Sequence, residues 1–229
     1  MSPSTPPLSG PLRPEPVELQ RLEERFAQRL EALRAQLASA NPEQVAQACG
    51  AEYTPGGIES TSKGQLALAL WGRPIRITCP EWIAYPKGGD QRLSAFDQAL
   101  LLYYLTTANG QPLRRKWIAF SDLPDGRFYN QAFQGYTGKE LARTFQDDRV
   151  AFESAALAIG GVRHMLGDAA FAFLALPRVP LLAVYWQGDE DFPSSCQVLF
   201  DAAASHYLPT DAYAILGSTL TRRLIKTKE

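Results

Sequence analysis

The sequence predicts an α+β fold: a mostly antiparallel sheet packed by a central apolar helix and a C-terminal helix, with an N-terminal amphipathic helix. Three observations predict it. Short apolar runs bounded by Gly and Pro recur as hairpin-like neighbours, which favours antiparallel pairing over parallel βαβ units. The stretch Ser94 to Ala108 is apolar nearly all round, as a helix covered on several sides must be. Tyr213, Leu216, Leu220 and Leu224 recur at three- and four-residue steps, which gives the last helix one buried side.

A chain of 229 residues is long enough for a sizeable core. Its composition, 45% hydrophobic and 21% charged, is that of an ordinary globular protein. A formal net charge of -1 creates no long-range field for phosphate backbones, so nucleic-acid binding is not expected. Cys49, Cys79 and Cys196 are far apart and odd in number, which fits a reducing cytoplasm better than a disulfide scaffold. The N-terminus lacks the basic and apolar regions of a signal peptide. The most apolar runs, Ala99–Leu105 and Ala169–Leu176, fall short of the roughly 20 residues a membrane helix needs. The expectation is a cytoplasmic protein with no membrane partner.

Residues 1–16 hold six prolines and read as a disordered tail. Residues 17–40 read as the amphipathic helix, with Leu19, Leu22, Phe26, Leu30, Leu33 and Leu37 in one stripe. That stripe suits docking on the domain; its sharper reading is a seam for a weak homodimer. Residues 41–229 read as a single α+β domain. Asn41-Pro42 starts a short helix that Gly50 stops. Gln65–Leu70 and Pro74–Thr78 flank Trp71-Gly72-Arg73 as a hairpin, and a short strand is expected at Trp82–Tyr85. Pro86–Asp90 is a loop without phosphate-loop spacing. Ser94 with Asp97 caps the central helix, and Asn109-Gly110 ends it. Trp117–Phe120 reads as a strand and Asp125-Gly126 as a turn. Helices follow over Phe128–Gln134, Lys139–Phe145 and Val150–Ile159. Ala170–Leu176 and Pro180–Trp186 are near-continuous apolar runs, the mark of strands covered on both faces. The sheet should hold about five to seven strands.

Several stretches carry a family resemblance. They are Trp186-Gln-Gly-Asp-Glu-Asp-Phe192-Pro, Val198-Leu-Phe-Asp201 and Tyr207-Leu-Pro-Thr210, with Leu101-Leu-Tyr-Tyr-Leu105, Trp117-Ile-Ala-Phe-Ser-Asp-Leu-Pro124, and Gly160-Gly161 followed by Asp168. Over roughly Gln44 to Leu220 the chain resembles a prokaryotic family, the domain of unknown function 3786. Some members join the domain to a cysteine-rich iron–sulphur segment; this chain lacks those cysteines. The resemblance implies one coherent domain and a setting in redox or cofactor metabolism, and it supplies no catalytic roles or cofactor.

The candidate site is the acidic corner after Trp186. Asp189, Glu190 and Asp191 follow a strand end, where a scaffold positions ligand-binding groups. With Asp168 and Asp201 they could hold a hard cation, and neighbouring carboxylates can divide into acid and base. Phe192 and Phe200 should anchor the backbone around them. His164 and His206 stand too far apart in sequence to announce a metal site. Cys196 with His206 as base is weaker than a buried, inert thiol. Tyr85, Tyr103, Tyr104, Trp186 and Tyr207 could line a pocket for a planar ligand, although such residues are more often core. The ligand-binding expectation is therefore Trp186, Asp189, Glu190, Asp191, Asp201 and Tyr207. The function expected is a non-catalytic accessory protein that binds a small ligand, cofactor or protein partner. The alternative is a small carboxylate-dependent, metal-assisted hydrolase, which should bring Asp189, Glu190 or Asp191 together with Asp201 or His206.

Overall fold

Local signals start and stop the first elements. The computed structural model describes residues 16–57 and 64–228; the expected tail therefore lies almost wholly outside the described residues, as do the side chains of Leu19, Leu22 and Phe26. Helix α1 spans Pro16–Leu37, and Leu30, Leu33 and Leu37 bury their part of the stripe within the chain. Helix α2, Pro42–Cys49, begins where the Asn41 side chain accepts from Glu43 N at 2.9 Å. It ends at Gly50, whose φ of 71° is left-handed.

Four antiparallel strands follow, ordered β1-β2-β3-β4 in one sheet: β1 Glu52–Pro55, β2 Gly64–Leu70, β3 Arg73–Cys79 and β4 Ala84–Pro86. Trp71 and Gly72 turn the β2–β3 hairpin with φ of 52° and 76°, the sense that matches strand twist. Leu66, Leu68, Leu70, Ile75 and Ile77 all bury on one face. Helix α3, Ala95–Thr107, packs beneath, with the Ser94 hydroxyl accepting from Asp97 N at 3.1 Å. Its buried Gln98 acts like a neighbouring strand. The amide donates to Ala84 O at 2.7 Å and accepts from Ala84 N at 3.0 Å. Tyr104 donates to Cys49 O at 2.5 Å and accepts from Arg178 N at 3.1 Å, joining α2, α3 and the later sheet.

The second sheet is ordered β5-β9-β8-β7-β6: β5 Trp117–Ile118, β6 Val162–His164, β7 Ala169–Leu176, β8 Val179–Trp186 and β9 Ser195–Asp201. All its pairings are antiparallel. Helices α4 Gly126–Tyr136, α5 Gly138–Phe145, α6 Arg149–Ala158 and α7 Thr210–Lys226 supply the inner cover. There, Phe152 stacks on Tyr185 and Phe200 meets Tyr213 edge-on. The other face has its own small cluster of Ala170, Leu182, Val184 and Leu199, bordered by Trp117 and Trp186. Trp117 Nε1 donates to His164 Nε2 at 3.1 Å, although β5 and β6 are opposite edges. A flat sheet would hold those edges about 19 Å apart, so this one curls round its second face. That curl is why β7 and β8 are apolar on both sides.

The α+β class, the antiparallel pairing and the placing of the first, central and last helices agree with the sequence. The expected single sheet is two, of four and five strands. Alternating burial assigns a residue to a face but does not name a strand's neighbour. Among the described residues one backbone hydrogen bond from the β2–β3 turn, Trp71 N to Ala175 O at 2.8 Å, reaches across. One continuous core nevertheless includes residues of both sheets, from Leu33 and Leu66 to Phe171 and Phe200. The edge strands β1 and β6, short and mostly exposed, carry no pattern that reveals them. The expected strand at Trp117–Phe120 stops at Ile118, because Ala119 N donates to Asp122 Oδ2 and starts a 3₁₀ turn. Among the described residues no helix is long and apolar enough to cross a membrane.

Candidate functional site

The acidic loop follows β8 at the mouth of the curled sheet. The Asp189 carboxylate turns back on its own loop: Oδ1 accepts from Asp191 N at 2.9 Å and Phe192 N at 2.8 Å. Asp168 accepts from Gln187 N at 2.8 Å, and Asp147 from Gly188 N at 3.1 Å. Trp186 is half-buried against the second cluster, whereas Glu190 and Asp191 are exposed. Phe192 does not anchor the loop, being 72% exposed; Phe200 is fully buried. Among the described residues no group of three or more His, Cys, Asp or Glu is arranged to hold a metal ion.

Asp201 and Tyr207 lie elsewhere. Asp201 ends β9 at 3% exposure and accepts three backbone hydrogen bonds. Arg114 N and Ala203 N reach Oδ1 at 2.9 and 2.8 Å, and Arg115 N reaches Oδ2 at 2.7 Å. Tyr207 is buried and donates to Gln111 O. Together they pin the segment between α3 and β5 against the end of β9. The structure thus brings Trp186, Asp189, Glu190 and Asp191 to one end of the strand, about 20 Å along it from Asp201.

The other sequence candidates do not meet. His164 accepts from Trp117, while His206 Nδ1 lies 3.0 Å from Asn109 Nδ2. Burial pushes the Cys196 thiol up to about 12 and the Cys49 thiol up to about 11, so neither forms a ready thiolate. Tyr104 and Tyr207 are core neighbours, with ring centres 6.3 Å apart. Tyr85 instead lies under the Arg76 guanidinium, with 4.4 Å between them.

A second candidate site lies where α4 and α7 begin. A cavity of about 480 Å³ opens between them and the end of α3, with Asp125, Phe128, Tyr129, Ser205 and Asp211 in its wall. Thr107, the last residue of α3, also lines it. Gly126 shapes the entry to α4: a Cβ there would stand 2.0 Å from Phe120 O. The tight approach holds Asp125, at φ 57°, and the first turn of α4 beside α7. The Thr210 hydroxyl donates to Pro124 O at 2.6 Å across the same gap. Deeper down, Gly217 lets the Phe133 ring lie directly on α7. These contacts fix the walls.

The aromatic side chains on those walls face water. Phe128 is 84% exposed and Tyr129 59%. Asp125 precedes α4 without capping it, and Asp211 stands in the first turn of α7. Among the described residues neither carboxylate has a hydrogen-bond or ion-pair partner. Burial, and then the charge of Asp211, push the nearby Tyr136 hydroxyl above the ordinary tyrosine range. Pro209 and Asp211 also border an adjoining hollow of about 280 Å³, lined by Arg29, Phe96 and Tyr103. There the Arg29 guanidinium lies 5.3 Å from the Tyr103 ring centre and its Nε donates to the hydroxyl at 2.8 Å.

Sequence reasoning missed Phe128, Tyr129, Asp125 and Asp211. One signal was available. At about 100° per residue Phe128 stands roughly 140° round the helix from buried Phe133 and points away from it, whereas Tyr129, four residues before Phe133, gave no such signal. Compared with known proteins, no curated sequence and no solved structure matched the chain. A family model did, the domain of unknown function 3786, over residues 41–223, from the entry to α2 to the last turns of α7.

Proposed function

The chain belongs to the family of the domain of unknown function 3786, and we propose that it works as a non-catalytic binding domain. The observation that carries this reading is the cavity between α4 and α7, where two exposed aromatic rings and two unpartnered carboxylates share a fixed wall. Large exposed aromatics around a concave surface lower in free energy when a ligand covers them, and rigid walls reduce the ordering cost of binding. The role fits an accessory to redox or cofactor metabolism, the setting the family resemblance implies.

The hydrolase alternative needs Asp189, Glu190 or Asp191 beside Asp201 or His206. The length of β9 separates the two sets, and Asp201 is saturated by backbone amides. The acidic loop remains a proposed second contact for a ligand or protein partner, through Glu190 and Asp191.

The test is a fragment screen read by amide shifts of Thr210 and Asp211 in the intact protein. Compounds that move these two amides, and fail to do so in Phe128→Ala, are expected. If no fragment of any charge perturbs this wall, the cavity is not a binding site.

A further inference from the structure

We infer that this cavity takes a small organic cation, an alkylammonium head held between the aromatic rings and the two carboxylates; the inference rests on the binding reading above.

Charge decides the class. The cavity lies at the N-termini of α4 and α7, and two helix N-termini contribute roughly +0.5 each, which alone would favour an anion. The C-terminal end of α3, at Thr107, contributes roughly −0.5. Asp125 and Asp211 add two full negative charges. The sum is about −1.5, and the described lining includes no Lys or Arg to reverse it. The Arg29 guanidinium borders the adjoining hollow that shares Asp211, and counting it still leaves about −0.5, so an anion entering here would meet a net negative wall. A cation would find both carboxylates, together with the hydroxyls of Ser205 and Tyr129.

The rings decide between a metal ion and an organic cation. Phe128 offers no oxygen, so it adds nothing to a hard cation's coordination sphere. Its face and that of Tyr129 attract an alkylated ammonium, whose methyl groups also bury against them. The adjoining hollow shows the same chemistry within the chain. There Arg29 places its cation over Tyr103, on the other side of the Pro209–Asp211 wall. The larger cavity repeats the combination of aromatic ring and Asp211 without an internal cation among the described residues. Its volume suits a free small molecule.

The experiment compares choline with 3,3-dimethyl-1-butanol, its neutral isostere, by amide shifts of Thr210 and Asp211 and by calorimetry on the full chain. Choline should bind at this wall and the neutral isostere roughly tenfold or more weakly. Asp211→Asn and Phe128→Ala should each weaken choline several-fold. Phe128 is so exposed that its variant keeps the fold, which an unchanged melting temperature would verify. Equal binding of the alcohol would overturn the cation assignment and leave a binding cavity. Preference for acetate or phosphate at the same amides would overturn it too. Shifts produced by a trimethyllysine peptide but not by choline would replace the small molecule with a protein partner. Silence from every probe would overturn the cation assignment, and the fragment screen alone then decides the binding reading.

Discussion

Asp201 and Asp211 stand one loop apart in the chain and behave as opposites. Asp201 closes β9, is almost wholly buried, and accepts from the backbone of Arg114, Arg115 and Ala203. Asp211 opens α7, is exposed, and has no partner among the described residues. The difference teaches how to sort carboxylates. Three amide donors compensate a charge for lost water and make it part of the architecture. A carboxylate left open beside exposed aromatic rings has its capacity available for something else. Asp189 falls between the two, exposed yet capping its own loop.

Removing Asp201 should have the largest effect. Asp201→Ala leaves three donors at the end of β9 without an acceptor and should cost roughly 2–5 kcal/mol in denaturant melts. A loss below about 1 kcal/mol would mean water replaces the carboxylate easily, and the contrast with Asp211 would fail.

High pH probes the buried side of the same contrast. Burial raises the folded-state value of Cys196 from 9.0 to about 12. A raised value means the folded protein holds the proton more tightly than the unfolded chain. The contribution is therefore complete below pH 9 and disappears as pH climbs towards 12. Wild type should lose melting temperature across that window, and Cys196→Ala should lose less of it. Identical alkaline profiles would show that the thiol reaches water.

Asp189→Ala should cost about 1 kcal/mol, the scale of a lost cap, because two loop amides lose one acceptor. An effect as large as that of Asp201→Ala would place this loop with the architecture. The smallest stability change belongs to Asp211→Asn, below about 0.5 kcal/mol from the altered helix terminus. Its mark is electrostatic instead. With the neighbouring charge gone, ultraviolet titration should show the Tyr136 hydroxyl ionising at lower pH than in wild type, though burial keeps it above the ordinary range. An unmoved Tyr136 would show that the Asp211 charge does not reach its hydroxyl.

The chain by itself determined whatever depends on neighbours a few residues away. Asn41 and Ser94 cap helices because a short polar side chain reaches an amide two or three residues on. Gly50 ends α2 because a left-handed φ is easy without a Cβ. Leu30, Leu33 and Leu37, like Leu216, Leu220 and Leu224, show their buried side through helical spacing alone. The acidic loop after Trp186 was equally legible as a loop. Only the tertiary structure decided what each acid does. Two of the three amides that bind Asp201 precede it by more than 80 residues. Asp125 and Asp211 border one cavity although α4, α5, α6 and four strands separate them in the chain. Spacing reports which face of an element is buried. It carries no term for a donor or ring that arrives from a distant element, and a carboxylate's role is set by those arrivals.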